Sequence, residues 1–228
     1  MTGAYGEWKD YNAYSDFISS EGVPVFYARV DHVSVPLAKE GTGQVVVDFT
    51  PEPLTQDVSF VFHIEKTADV VVDSLTAEIS GIPSTMELTT GLILAQKTYK
   101  LLFRPTYAAL PSAAWRCEAS VNIPGIVRSH TEDMVTGPGI LQIAIYTHYD
   151  YEEEGTQRKA AKVFHAGINL YHTLKERKSL QWDEEENGSI TVEIGSPLNI
   201  DKDGILNGGS TSTGLDQWIP GETFEIEV

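Results

Sequence analysis

The stretch Asn199-Ile200-Asp201-Lys202-Asp203-Gly204-Ile205-Leu206-Asn207 sets oxygen-bearing side chains at alternate positions, with a glycine sixth. That is the front of an EF-hand-like loop, in which carboxylate and amide oxygens surround a calcium ion and glycine makes the sharp turn. Asn199, Asp201, Asp203 and Asn207 are therefore the candidate calcium ligands. The twelfth position is Ser210, where an EF-hand carries a bidentate glutamate, and no helical pattern flanks the loop. A polar, turn-rich loop is the plainer meaning of the same residues.

Other chemistry is sparse. The sequence has no Gly-x-Ser-x-Gly elbow, no phosphate-binding loop and no dinucleotide fingerprint. His32, His63, His130, His148, His165 and His172 make no His-Glu-x-x-His pair, and surface or strand-edge positions account for them. Acidic runs occur at Asp150 to Glu154 and at Asp183 to Glu186. A glycosidase holds two carboxyls about 5–10 Å apart across a cleft, whereas these runs sit among turn residues and read as solvated loops. Cys117 stands alone, which excludes a disulfide within the chain and a cysteine-rich zinc site. It lies in Trp115-Arg116-Cys117-Glu118-Ala119-Ser120-Val121, a strand-like run, and is expected to be a buried structural thiol. The chain is expected not to be an enzyme and to carry no cofactor, with calcium the one open possibility.

Charge narrows the partners. Against 33 acidic residues there are 16 basic ones, a formal net charge of −17. Nucleic-acid affinity rests on lysine and arginine displacing counterions, so nucleic acid is excluded as a partner. Anionic membrane surfaces are disfavoured for the same reason. The acidity suits solubility and capture of cations. Hydrophobic residues at 41% leave enough apolar mass for a packed core, and 228 residues suit one or two domains. No run approaches the roughly 20 apolar residues of a membrane-spanning helix. Met1 leads straight into Thr2-Gly3-Ala4-Tyr5-Gly6 without a basic and apolar leader, so the chain reads either as cytosolic or as a mature form. The fold favours the mature form.

The elements that must position any site are strands. Val45, Val47 and Phe49 alternate with Val46 and Asp48; Val58, Phe60, Phe62 and Ile64 with Ser59, Val61, His63 and Glu65. Leu75, Ala77 and Ile79, and later Phe224, Ile226 and Val228, repeat the pattern. This is the signature of half-buried antiparallel strands. Gly41-Thr42-Gly43, Pro51-Glu52-Pro53, Ser80-Gly81-Ile82-Pro83, Pro124-Gly125 and Gly137-Pro138-Gly139 are expected to break the chain between strands. Leu141 to Tyr151 and Lys159 to Tyr171 should form a long hairpin around the acidic tip Glu152-Glu153-Glu154-Gly155. Asn187-Gly188 predicts a further hairpin turn, preferred over its reading as a glycosylation sequon. The best helical stretch is Tyr171 to Leu180, about two turns; Met1 to Gly22 is either a short helix or a loose lead-in. The result is an all-β antiparallel β-sandwich, with strands connected in Greek-key fashion and few short helices. Residues 1–54 form an N-terminal segment, with Pro51-Glu52-Pro53 at its end, and residues 55–228 a complete C-terminal sandwich domain.

Two stretches carry a resemblance. Val70 to Pro83 followed by Met86-Glu87-Leu88-Thr89-Thr90-Gly91, and Gly208-Gly209-Ser210 through Gly214-Leu215-Asp216-Gln217-Trp218 to Phe224-Glu225-Ile226-Glu227-Val228, resemble the fimbrillin-associated anchor lipoproteins of Bacteroides-type bacteria. Tyr27 to Pro53 fits the part that precedes the first stretch. The resemblance implies transthyretin-like β-sandwiches, export to the cell surface, and attachment at the outer membrane through a lipid-bearing cysteine that is not among these residues. It implies a structural role as anchor or minor subunit, with fimbrial subunits or other cell-surface proteins as partners. It implies that residues 1–54 hold part of a first sandwich.

Sandwich edges carry unpaired backbone groups to which a neighbour can add a strand. Val23 to Pro36 and Gly221 to Val228 are the candidate edges. A carbohydrate- or calcium-dependent binding module is the alternative, with Trp115, Trp182 and Trp218 stacking on sugar unless they pack in the core.

Overall fold

The computed structural model describes residues 16–18, 25–33, 45–87, 93–110, 114–127, 137–176, 190–206 and 218–226. Within them the chain forms β1 (Asp16–Ile18), β2 (Phe26–Tyr27), β3 (Glu52–Pro53), β4 (Gln56–Lys66), β5 (Val70–Met86), β6 (Ile93–Phe103) and β7 (Thr106–Ala109). There follow β8 (Ala114–Ile123), β9 (Ile140–Glu153), β10 (Thr156–Asn169), the helix α1 (Tyr171–Glu176), β11 (Ile190–Glu193), β12 (Leu198–Ile200) and β13 (Ile219–Ile226).

The strands build two large sheets. One runs β1-β6-β5-β9-β10-β13; the other runs β11-β4-β8-β7, with β12 also on β4. From β4 onward the chain visits β5 and β6 in the first sheet, β7 and β8 in the second, and β9 and β10 in the first again. Alternating side chains then seal the space between the sheets. In β4, Val58, Phe60, Phe62 and Ile64 are fully buried while Asp57 and Glu65 face solvent. Leu75, Ala77 and Ile79 of β5 and Leu141, Ile143 and Ile145 of β9 join the same core. Phe60 stacks on Phe103 of the opposite sheet at 5.8 Å between ring centroids. Each such fully buried side chain contributes about 1.5–3 kcal/mol relative to exposure. The all-β sandwich expected from the pattern is the architecture observed.

The long hairpin is β9 and β10, paired without a break from Thr156↔Glu153 to Asn169↔Ile140. Its turn is Glu154-Gly155, with φ of 51° and 76°. Two successive positive φ values match the right-handed twist of the strands, as in a type I′ turn. The helix forms where Tyr171 to Leu180 was expected. It opens where Asn169 Oδ1 accepts a hydrogen bond of 2.9 Å from Tyr171 N and is described to Glu176, beyond which the expected residues lie outside the described part.

Three local expectations are corrected. Residues 45–50 form no strand, and Val46 and Phe49 are exposed. Alternation tells which side chains share a face, but a strand also needs a neighbour to complete its hydrogen bonds. Ser80-Gly81-Ile82-Pro83 does not end a strand either; β5 continues through it as a bulge, with the register against β6 shifting between Ile79 and Ile82. The bulge organises its surroundings, since Ser80 Oγ donates to Gly137 O at 2.7 Å and accepts from Ile140 N at 2.9 Å. Gly81 O and Ser80 O accept from Val127 N and Gly139 N. Gly81 has φ of +83°, and a Cβ there would lie 2.3 Å from Pro138 Cβ. Finally, not every pair is antiparallel: β1 runs parallel to β6, and β11 and β12 parallel to β4.

Residues 16–18 thus join the sheet made by later strands. Val25 to Tyr27 instead attach to residues 52–55, through β2–β3 pairing and the bond from Leu54 N to Val25 O.

Candidate functional site

The acidic turn of residues 199–206 is closed by its own polar groups. Asp201 Oδ1 accepts hydrogen bonds from Asp203 N at 2.7 Å and Gly204 N at 2.8 Å. Asp201 N donates to Gly204 O, Leu206 N donates to Asn199 O, and Ile200 bridges to Ile205. This is an Asx-type turn, in which the carboxylate substitutes for a missing backbone partner. Lys162 reaches it from β10 and donates to Lys202 O at 2.8 Å, which brings an ammonium to the loop. Asp203 is exposed, Asn199 is half-buried in β12, and Asn207 lies outside the described residues. Among the described residues no group of three or more histidine, cysteine, aspartate or glutamate side chains converges as a metal site would.

The outward face of the second sheet carries a shallow groove of about 530 Å³. Register explains its lining. Thr191, Ser59 and Ser120 stand in one row across β11, β4 and β8, and the Ser59 and Ser120 hydroxyls are 3.2 Å apart. Val61 and Glu118 form the next row, with Thr106 beyond on β7. Arg116 Nη2 pairs with Glu118 Oε1 at 2.6 Å, and Arg104 enters from the β6–β7 connection. Hydroxyls and two guanidiniums offer many donors to a polar ligand. The groove's lining contains no histidine, cysteine or lysine, and its one carboxylate, Glu118, is paired with Arg116. Ser59 and Val61 show in the sequence as the alternate face of one strand, but nothing in one strand reveals which row its neighbour supplies.

The aromatic candidates divide. Trp218 is buried, edge-on to Phe62 at 5.7 Å, and its Nε1 donates to Ser196 O at 3.0 Å. It is a core residue and cannot stack on a sugar. Trp115 is half-buried against the ring of Tyr107 at 4.7 Å, and Trp182 lies outside the described residues. His148 Nδ1 lies 2.8 Å from Asp73 Oδ1 on the surface. Cys117 is fully buried, and burial pushes its thiol up to about 12, away from thiolate chemistry.

The sheet edges are the remaining candidates. β13 forms one end of the six-stranded sheet, bonded to β10 from Ala161↔Ile226 to Gly167↔Ile219. Among the described strands none lies on its other side. β1 forms the opposite end. Of the edge expected over Val23 to Pro36, the described residues 25–33 belong to neither large sheet; their strand, β2, pairs with β3 in a separate two-stranded ribbon.

No family model matches the chain. No curated protein matches it. Among solved structures it is similar to a putative adhesin from Bacteroides ovatus, at 11% identity and a TM-score of 0.41. The match covers 83% of this chain and 61% of that one, so the chain spans less than two thirds of the neighbour's length. The fimbrial resemblance therefore rests on the sequence motifs alone.

Among the described residues no helix is long and apolar enough to cross a membrane. The acidic run Asp150 to Glu154 stands at the exposed tip of the β9–β10 hairpin, away from the groove, and Arg158 pairs with Glu153 at 2.8 Å. The second acidic run, Asp183 to Glu186, and the turn at Asn187-Gly188 lie outside the described residues.

Proposed function

We propose that this chain is a non-catalytic, exported cell-surface structural protein that engages neighbours by strand addition, as an anchor or minor subunit of a fimbria-type assembly. The observation that carries the reading is β13, an eight-residue strand at the end of the six-stranded sheet. A strand in that position presents a row of backbone donors and acceptors to whatever lies alongside. The fimbrial motifs and the acidic, strand-rich composition support the setting. Fimbrial subunits or other cell-surface proteins are the proposed partners, and outer-membrane attachment would come through a lipid anchor.

Single proline substitutions at successive positions from Glu222 to Ile226 test it. Where the amide faces β10, proline removes a ladder bond and lowers the melting temperature. Where the amide faces outward, the melting temperature holds and co-sedimentation of the chain with sheared surface polymers should be lost. Wild-type co-sedimentation of every stable proline variant would overturn the reading.

A second reading is favoured by the groove: a carbohydrate-binding module that takes an acidic sugar between Arg104 and the Thr191–Ser59–Ser120 row. Titration of the folded chain with uronic-acid oligosaccharides, followed by amide shifts of β4 and β8, tests it. An Arg104→Ala chain should lose the shifts; no shift in the wild-type chain removes this reading.

A further inference from the structure

The six-stranded sheet holds a buried polar group on the face turned away from the core. Leu101 and Phe103 of β6 point inward, and the residue between them and Tyr99, Lys100, points outward. Its side chain is nonetheless completely buried. Nζ contacts Glu78 Oε1 of β5 and donates to Gln142 Oε1 of β9 at 3.3 Å. Glu78 stands directly opposite Gln142 in the β5–β9 ladder, and Lys100 reaches it diagonally from β6, two residues from Leu102, which is Glu78's own partner there. Gln142 is itself buried, and among the described residues its Nε2 has no hydrogen-bond partner.

A buried ion pair is a poor stabiliser, because removing two charges from water offsets their attraction. An orphaned amide nitrogen beside it adds a further penalty. The same three groups have a reactive meaning. An amine and an amide carbonyl are held together out of water beside a half-buried carboxylate, and among the described residues the amide's nitrogen has no hydrogen-bond partner.

We propose that Lys100 and Gln142 form a covalent amide across β5, made within the folded chain and assisted by Glu78. Burial disfavours the ammonium and holds Lys100 below its ordinary range, against the opposing pull of Glu78, so the neutral amine is accessible. The Nζ lone pair attacks Cδ of Gln142, the carbon bonded to the oxygen already in contact. Glu78 takes a proton from Nζ and delivers it to Nε2. The Cδ–Nε2 bond then breaks and ammonia leaves. One N–H bond and one C–N bond are exchanged for another of each, with no oxidation or reduction, and Glu78 ends as it began. The fixed strands supply the proximity that makes an unactivated amide reactive.

The product would link β6 to β9, which do not hydrogen-bond to each other because β5 lies between them. A sheet pulled along its strands would then be held by a bond as well as by ladders. The link also closes a loop in the unfolded chain, which restricts that state as a disulfide does. This suits a protein with a single cysteine. The inference does not depend on which partner, if any, adds to β13.

The test is the intact mass of the full folded chain after denaturation. The expected mass is lower than the sequence mass by one ammonia, and tandem fragmentation should find a branched peptide joining the segments around Lys100 and Gln142. Trypsin should fail to cut after Lys100. Lys100→Met and Gln142→Ala should each restore the sequence mass, and Glu78→Gln should leave most of the chain unlinked. A wild-type mass equal to the sequence mass overturns the proposal whatever the variants do. So does the loss of one water with the branch at Glu78, which would place the bond on the other partner.

Discussion

Tyr107 Oη donates a hydrogen bond of 2.8 Å to the main-chain oxygen of Asp73, and so ties the edge strand of the smaller sheet to the larger one. Asp73 is the residue at which the β5–β9 register shifts, between Val72 and Ser74, so its carbonyl is turned out of the ladder and needs an outside donor. The Tyr107 ring is held over Trp115. Tyr107→Phe keeps the ring and removes only the hydroxyl, and should lower unfolding free energy by about 0.5–1.5 kcal/mol in urea titrations. Tyr107→Ala should cost more, because the aromatic contact goes with it. Equal losses for the two variants would show that the hydrogen bond, not the ring, carries the link.

Gly81 and Gly155 share a positive φ but not a setting. A Cβ on Gly81 would lie 2.6 Å from Pro138 Cα, which is backbone, whereas a Cβ on Gly155 meets nothing within 4 Å. Gly155→Ala therefore carries only the conformational penalty of a left-handed residue, about 1–2 kcal/mol. Gly81→Ala carries that penalty and also pushes apart the bulge and the Gly137-Pro138-Gly139 turn. Its loss should exceed that of Gly155→Ala by at least about 2 kcal/mol, the scale at which backbone strain and overpacking add. Chemical denaturation of the two variants side by side decides it.

Much of this architecture was legible because side-chain period is a local property. Val58 to Ile64, Leu75 to Ile79 and the hairpin around Glu154-Gly155 are each set by residues close in sequence, and they fold as their pattern reads. What failed was the non-local part. Residues 45–50 alternate much as residues 58–64 do but have no partner strand among the described residues. Ser80-Gly81-Ile82-Pro83 looks like a break, and it survives inside a strand because residues 127 and 137–140 take up its polar groups from far along the chain. The site was less legible still. The row Thr191–Ser59–Ser120 and the cluster Lys100–Glu78–Gln142 draw on strands distant in sequence, and only pairing and register bring them together. The candidate calcium ligands were legible as a loop because Asp201, Asp203 and Gly204 are neighbours in the turn they build.

That turn gives its own test. Asp201 caps two amides, so Asp201→Ala should cost about 0.5–2 kcal/mol in calcium-free buffer, as the loss of a capping side chain does. Asp203→Ala, which removes an exposed carboxylate, should fall within about 0.5 kcal/mol of the wild type. Thermal melts with and without calcium then separate closure from metal binding. A melting temperature of the wild-type chain that rises with calcium, and fails to rise in Asp203→Ala, would assign the loop to the cation.

The pH dependence of stability should carry the signature of the buried thiol. Cys117 is pushed by burial from 9.0 to about 12, so between these values the folded state keeps a proton that the unfolded state has lost. Stability must then fall as pH rises across that window, by about 1.4 kcal/mol per pH unit. Below pH 9.0 both states are protonated and the contribution is constant. Cys117→Ala lacks the group, so its stability relative to the wild type should improve steadily through the window in urea titrations at matched pH. A free Lys100 amine works in the opposite sense. Its folded-state value is lowered from 10.5, so the unfolded state holds more protons below 10.5, and stability rises with pH toward that point. Gln142→Ala should show this rise, because its amine stays free. The wild-type chain should not show it where Lys100 is linked. An identical alkaline rise in both chains would mean that the amine is free in both.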